Sequence, residues 1–152
     1  MKKILIGLMV VLLICGCGDN KKEKTIASLS DFESGCQSIS YETHDNSGNY
    51  QDEDYIKEAM LCNKEYNDIE MVVYSDSDSA SKVQEKQIDN FNHSKNASSI
   101  IKKDEGKNYY KYTMISNGYY MVSSRVDNTL IFTRINMDEK DIIDSLLDKI
   151  GY

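Results

Sequence analysis

The chain has 152 residues, with 25 acidic against 18 basic side chains and a net charge of −7 when its two histidines are neutral. A surface this acidic, with no Lys/Arg cluster to offset it, repels phosphate backbones and argues against nucleic acid as a partner. Proline and tryptophan are absent, and Arg125 and Arg134 are the only arginines. The abundance of Lys, Asn, Ile and Tyr is what AT-rich codons favour, so tyrosine enrichment by itself carries no functional weight.

At the N-terminus Lys2 and Lys3 precede an apolar run, Ile4–Ile14, of eleven residues. A spanning helix needs about 20, so this run reads as the hydrophobic region of a cleaved secretory signal. Gly16 supplies the small residue a signal peptidase needs before Cys17, and the chain then turns abruptly polar at Gly18-Asp19-Asn20-Lys21-Lys22-Glu23-Lys24. This stretch resembles the lipobox of bacterial lipoproteins, although Cys15 stands where that family usually has Ala or Ser. The resemblance implies that Cys17 becomes the first mature residue and carries a diacylglyceryl thioether, with palmitate-type acyl chains as the membrane anchor. On this reading 1–16 is the signal peptide, 17–24 a flexible lipid-anchored tether, and 25–152 a single domain on the extracytoplasmic face of the cell membrane.

Cleavage before Cys17 leaves 136 residues, enough for one domain with a core. Loss of Lys2 and Lys3 leaves 16 basic residues against 25 acidic, a mature charge of −9. Cys36 and Cys62 then remain. In an exported domain one remaining pair reads as a disulfide, with two unpaired buried thiols as the alternative. A redox-active pair lacks the Cys-x-x-Cys spacing it would need.

Along the mature chain, Ser30-Asp31-Phe32-Glu33 has the pattern of a capping box opening a short helix that turns Phe32 and Cys36 inward. Ile39-Ser40-Tyr41 can begin a strand, and residues 42–54 read as a mobile loop. Tyr55–Cys62 and the clearer Asp68–Tyr74 are strands joined by a polar turn around Lys64–Asn67. Ser75–Ser79 offers helix caps, followed by Ala80, Val83, Ile88 and Phe91 along one helical face. Polar residues Asn92–Ser99 end that helix.

The segment 109–135 is the best defined. Asn117-Gly118 is a strong two-residue hairpin signal because both centres of a type I′ turn need positive φ; Asp127-Asn128 offers a second turn. If both hold, Ile115, Tyr120, Val122, Val126, Ile131 and Ile135 share one face of a three-stranded meander. Tyr110, Tyr112, Met114, Tyr119, Met121, Leu130 and Phe132 share the other with Arg125 and Arg134. Asn136 then caps an amphipathic helix with Glu139 at its third position, a stripe of Ile142, Ile143, Leu146, Leu147 and Ile150, and Gly151 as its stop. The expected class is α+β: an antiparallel sheet, with the C-terminal three-stranded meander, packed by helices on one side.

The second half and its closing helix are similar to small anchored lipoproteins of Gram-positive bacteria. The likeness rests on Ser124-Arg125-Val126-Asp127-Asn128-Thr129-Leu130-Ile131 and on Gly151-Tyr152, and it implies no catalytic residues. The expected function is a non-enzymatic interaction domain that binds an envelope protein or cell-wall component. The alternative is a small-ligand site on the aromatic and arginine face of the meander, formed by Tyr112, Met121, Arg125, Phe132 and Arg134. No cofactor or metal is expected. The acidic stretch Asp45–Asp54 lacks the bidentate Glu of an EF-hand, since Ile56 holds that place, and Asp76 and Asp78 suit helix caps better than calcium. His44 and His93 lie in polar segments with no nucleophile pattern around them.

Overall fold

The computed structural model describes residues 21–152. In chain order these form α1 (Leu29–Ser38), β1 (Glu42–Asp45), a 3-10 turn (Ser47–Tyr50), β2 (Ile56–Lys64), β3 (Asn67–Tyr74) and α2 (Ser77–Asn92). They continue with β4 (Ile100–Glu105), β5 (Tyr109–Ser116), β6 (Tyr119–Val126), β7 (Thr129–Asn136), a second 3-10 turn (Met137–Glu139) and α3 (Lys140–Lys149). The strands make one seven-stranded sheet in the order β1-β2-β3-β7-β6-β5-β4, antiparallel at every pairing. The signal segment and Cys17 lie outside the described residues. Among those described, no helix is long and apolar enough to cross a membrane.

The meander forms with the expected register. Asn117 and Gly118 take φ of 53° and 79°, and Asp127 takes 48°. Met114 pairs with Met121 and Met121 with Arg134, so the two expected residue sets do lie on opposite faces. Both faces are covered, however, and the expectation of helices on one side is corrected. On one face Phe32 and Cys36 of α1 and Ile143, Leu146 and Leu147 of α3 pack on Tyr120, Val122, Val126, Ile131 and Ile135. On the other, Ala80 of α2 packs with Val72, Tyr74 and Leu130, and Phe91 with Tyr112, Met114 and Met121. Large apolar groups on both faces of the meander must leave water. One helix layer cannot cover both, so the molecule has three layers.

Several local expectations shift for identifiable reasons. The α1 capping box starts two residues earlier: Ser28 Oγ accepts from Asp31 N at 3.1 Å, and Asp31 Oδ2 accepts from Ser28 N at 2.9 Å. Phe32 and Cys36 remain inward. Ser40 turns the chain at φ 63° instead of starting a strand. The stretch read as a loop contains β1, which pairs with β2 (Thr43 opposite Cys62), and the 3-10 turn. The Cys36–Cys62 disulfide joins α1 to β2, with Cα atoms 6.1 Å apart. Strand β4 had no apolar alternation to announce it. Its charged Lys102-Lys103-Asp104-Glu105 suits the free edge of a sheet, where charge discourages pairing with another chain. After β7 the 3-10 turn intervenes, so α3 begins at Lys140 with no side-chain bond from Asn136 or Glu139 at its cap.

Candidate functional site

Helix α2 lies across the face that the sequence nominated. Tyr112 is 2% exposed and Met121 0%, both packed under Phe91. The Tyr112 hydroxyl donates to Asn92 Oδ1 at 2.9 Å, which ties the sheet to the end of α2. Arg125 lies to one side of the helix, where its Nε donates to Gln84 Oε1 at 3.2 Å and its Nη1 to the Asp127 carbonyl at 3.3 Å. The buried Gln84 in turn donates to the carbonyls of Tyr110 and Ser123 at 2.8 and 3.2 Å. Phe132 and Arg134 line a different groove. The five nominated residues therefore do not form one pocket: two are core, one serves α2, and two remain accessible. The reason is burial, since Phe91 and Ala80 need an apolar surface and the meander supplies it.

The groove at Phe132 and Arg134 has a volume of about 540 Å³ and runs between α2 (Gln87, Phe91) and the Ser47–Tyr50 turn. Its floor includes Glu70 of β3, only 9% exposed and directly opposite Phe132. Glu70 Oε1 accepts from the Tyr50 hydroxyl at 2.8 Å and from the Asn46 side-chain amide. Burial, and then Glu70, push the Tyr50 hydroxyl pKa up; burial does the same to Tyr74. Arg134 stacks its guanidinium 4.4 Å from the centroid of the Tyr119 ring. Sequence reasoning missed Glu70, although its signal was present: a carboxylate inside Ile69-Glu70-Met71-Val72-Val73 on the same register as Val72.

A second concavity, about 370 Å³, lies between α3 and the facing side chains of β4, β5 and β6. Tyr120 OH donates to Asp144 Oδ1 and Lys140 Nζ to Asp144 Oδ2, each at 2.6 Å. Lys111 Nζ donates to the main-chain oxygen of Tyr152 at 3.1 Å. Burial lowers the Lys111 pKa against the opposing charges of Asp144 and Asp148. These groups are largely satisfied by one another, which makes the cluster a brace between sheet and helix. His44 on β1 and His93 at the end of α2 are both exposed. Among the described residues, no group of three His, Cys, Asp or Glu is arranged to hold a metal ion. Asp76 caps α2, its Oδ1 accepting from Ser79 N at 2.7 Å.

The two ends of the sheet differ. At one end residues 21–24, expected to be part of a free tether, are fastened to the β4–β5 turn. Lys107 N donates to Lys22 O at 2.8 Å, Lys24 N donates to Asn108 Oδ1 at 2.9 Å, and Asn108 Nδ2 returns a bond to Lys24 O at 2.8 Å. Lys24 Nζ lies 4.7 Å from the Tyr109 ring centroid. A Cβ on Gly106 would collide with Lys22 O, so glycine is what allows this approach. At the other end three turns are bound together: Asn136 N donates to Asn67 Oδ1 at 3.1 Å and Met137 N to Gly118 O at 3.0 Å. These turns expose Tyr66 (92%), Tyr119 and Met137.

No family model matches the chain, and no curated protein matches it. Among solved structures the chain is similar to the crystal structure of a GTP binding regulator from Thermotoga maritima. That chain is 17% identical, the alignment covers 82% of this chain and 87% of that one, and the TM-score is 0.47.

Proposed function

We propose that this chain is a membrane-anchored extracytoplasmic lipoprotein, tethered through Cys17, whose domain binds an envelope protein or cell-wall component without catalysing a reaction. The observation that carries the reading is the opposition of the two sheet ends. Residues 21–24 are bound at the β4–β5 turn, and four residue steps separate Lys21 from Cys17. At roughly 3.5 Å per residue, the reach from Cys17 to Lys21 is at most about 14 Å. A lipid on Cys17 would hold that end close to the bilayer and turn Tyr66, Tyr119 and Met137 outward. Exposed aromatic and methionine side chains on one rim are the residue types that anchor protein interfaces. The Cys36–Cys62 bridge is compatible with an exported protein.

Two experiments on the full-length chain test the two halves of the proposal. Labelled palmitate should enter the wild-type protein and not Cys17→Ser, which should leave the membrane fraction; label retained in Cys17→Ser would refute the anchor. A photo-crosslinking residue at position 66 or 119 should give a discrete adduct in cells, while one at position 82 on the exposed side of α2 should not. Equal labelling from all three positions would refute the outward rim as the binding surface.

A further inference from the structure

Independently of the anchor, we propose that the groove between α2 and the Ser47–Tyr50 turn binds a free α-amino acid with an apolar side chain, its ammonium on Glu70 and its carboxylate on Arg134. Carboxylates are almost never this buried unless they are paired, and among the described residues Glu70 has no cation within ion-pair distance. Its two protein donors, the Tyr50 hydroxyl and the Asn46 amide, both go to Oε1. Among the described residues Oε2 has no protein donor. Glu70 lines the groove, so that oxygen offers an acceptor there to a group that brings both hydrogen-bond donors and positive charge.

Arg134 supplies the complementary half. It also makes no ion pair among the described residues, and it is held in place by the Tyr119 ring at 4.4 Å. Glu70 is paired with Phe132, so Arg134 is its diagonal neighbour on the same face, at a spacing of about 7–8 Å with the Cβ atoms somewhat closer. The two heads make no ion pair with each other, so they stand more than 4.0 Å apart, and one small zwitterion can bridge them with a charge-assisted hydrogen bond of about 2.8 Å at each. Phe132, Phe91 and Leu61 give the groove an apolar wall, and its volume of about 540 Å³ falls within the range of small-molecule sites. A lone ammonium would leave Arg134 unused, and a lone carboxylate would meet Glu70 and Asp68 as like charges.

The test uses the full-length chain in detergent micelles and three probes: L-leucine, 3-methylbutylamine (leucine without its carboxylate) and 4-methylpentanoate (leucine without its amino group). Leucine should shift the amide resonances of Glu70, Phe91 and Phe132 saturably, and each truncated probe should bind at least about ten-fold more weakly, the loss of one charged contact. Glu70→Gln should abolish the leucine shifts. Arg134→Ala, at an exposed position outside the core, should weaken them about ten-fold with the spectrum otherwise intact, so it carries the test if Glu70→Gln disturbs the fold. Three outcomes would each overturn the proposal: no saturable shift with leucine, equal affinity for leucine and 3-methylbutylamine, or unchanged binding in Arg134→Ala. Glu70 would then serve only to fasten the Ser47–Tyr50 turn to the sheet.

Discussion

Tyr120 on β6 and Asp144 on α3 share a hydrogen bond of 2.6 Å, and Lys140 binds the other oxygen of the same carboxylate at 2.6 Å. Burial works to raise the Asp144 pKa, but the bonds from Lys140 and Tyr120, with the charges of Lys140 and Lys111, hold it below its ordinary 3.8. A carboxyl depressed in the folded state contributes stability above its unfolded pKa of about 3.9 and loses it as pH falls through the folded value. Asp144→Asn should therefore cost about 1–2 kcal/mol at neutral pH, allowing for its partial exposure. It should also flatten the acid limb of the stability profile below about pH 4. Urea midpoints at neutral and acid pH check both; equal losses at each pH would remove the carboxylate's charge from the account.

At the alkaline end the sign reverses. Burial, then the charge and hydrogen bond of Glu139, push the Tyr41 hydroxyl up to about 12. Burial does the same for Tyr152, also to about 12, against a hydrogen bond with Thr129 that acts the other way. A tyrosine whose folded pKa is raised binds its proton more tightly when folded. Its contribution is complete below about pH 10 and is lost as pH climbs from there towards 12. The urea midpoint should fall across that window, and Tyr41→Phe should lessen the fall. A midpoint flat to pH 12 would contradict the burial of these hydroxyls.

The disulfide closes 26 residues of chain. By loop-closure entropy, replacing both cysteines with alanine should lower stability by about 3 kcal/mol. Reductant should shift the wild-type denaturation midpoint to that of the double variant and leave the variant unmoved.

Asn108 joins the strap at residues 21–24 to two turns, because its amide also donates to Asp127 Oδ2 at 2.8 Å. Asn108→Ala should cost about 1–2 kcal/mol and strip hydrogen-exchange protection from Lys24 while leaving α3 protected. Protection retained at Lys24 would mean that the surface pairs Lys21–Glu105 and Glu23–Lys107 hold the strap, which is more than exposed ion pairs usually contribute.

The parts legible in the sequence were those with local causes. Asn117-Gly118 demands a tight turn, and once it is in place the alternation of Tyr112, Met114, Met121 and Tyr120, Val122 fixes the register on both sides. What stayed hidden was set by the rest of the fold. Lys102 and Lys103 obscure β4 because an edge strand needs no apolar face. The meander's two faces are equally apolar, so alternation could not say which one α2 would cover. The stripe of Ala80 and Phe91 showed that α2 needed a surface, but only the third dimension names Met121 and Tyr112 as that surface. Arg125 and Arg134 share one face but sit four register positions apart, opposite Leu130 and Met121, and end in separate grooves because α2 runs between them.

Strand β7 lies in the middle of the sheet, with β3 on one side and β6 on the other, and pairs Thr133 with Ile69 across more than sixty residues of chain. A polypeptide delivered N-terminus first therefore presents β3 with one bare hydrogen-bonding edge until its last strand has emerged. Cys36 and Cys62 both precede that point, so the covalent link can close on a half-built sheet. Contacts this distant form slowly because the intervening chain must be ordered first. The order of assembly thus makes an interrupted chain an aggregation-prone one: it carries the exposed edge of Ile69, Met71 and Val73 without the strand that covers it.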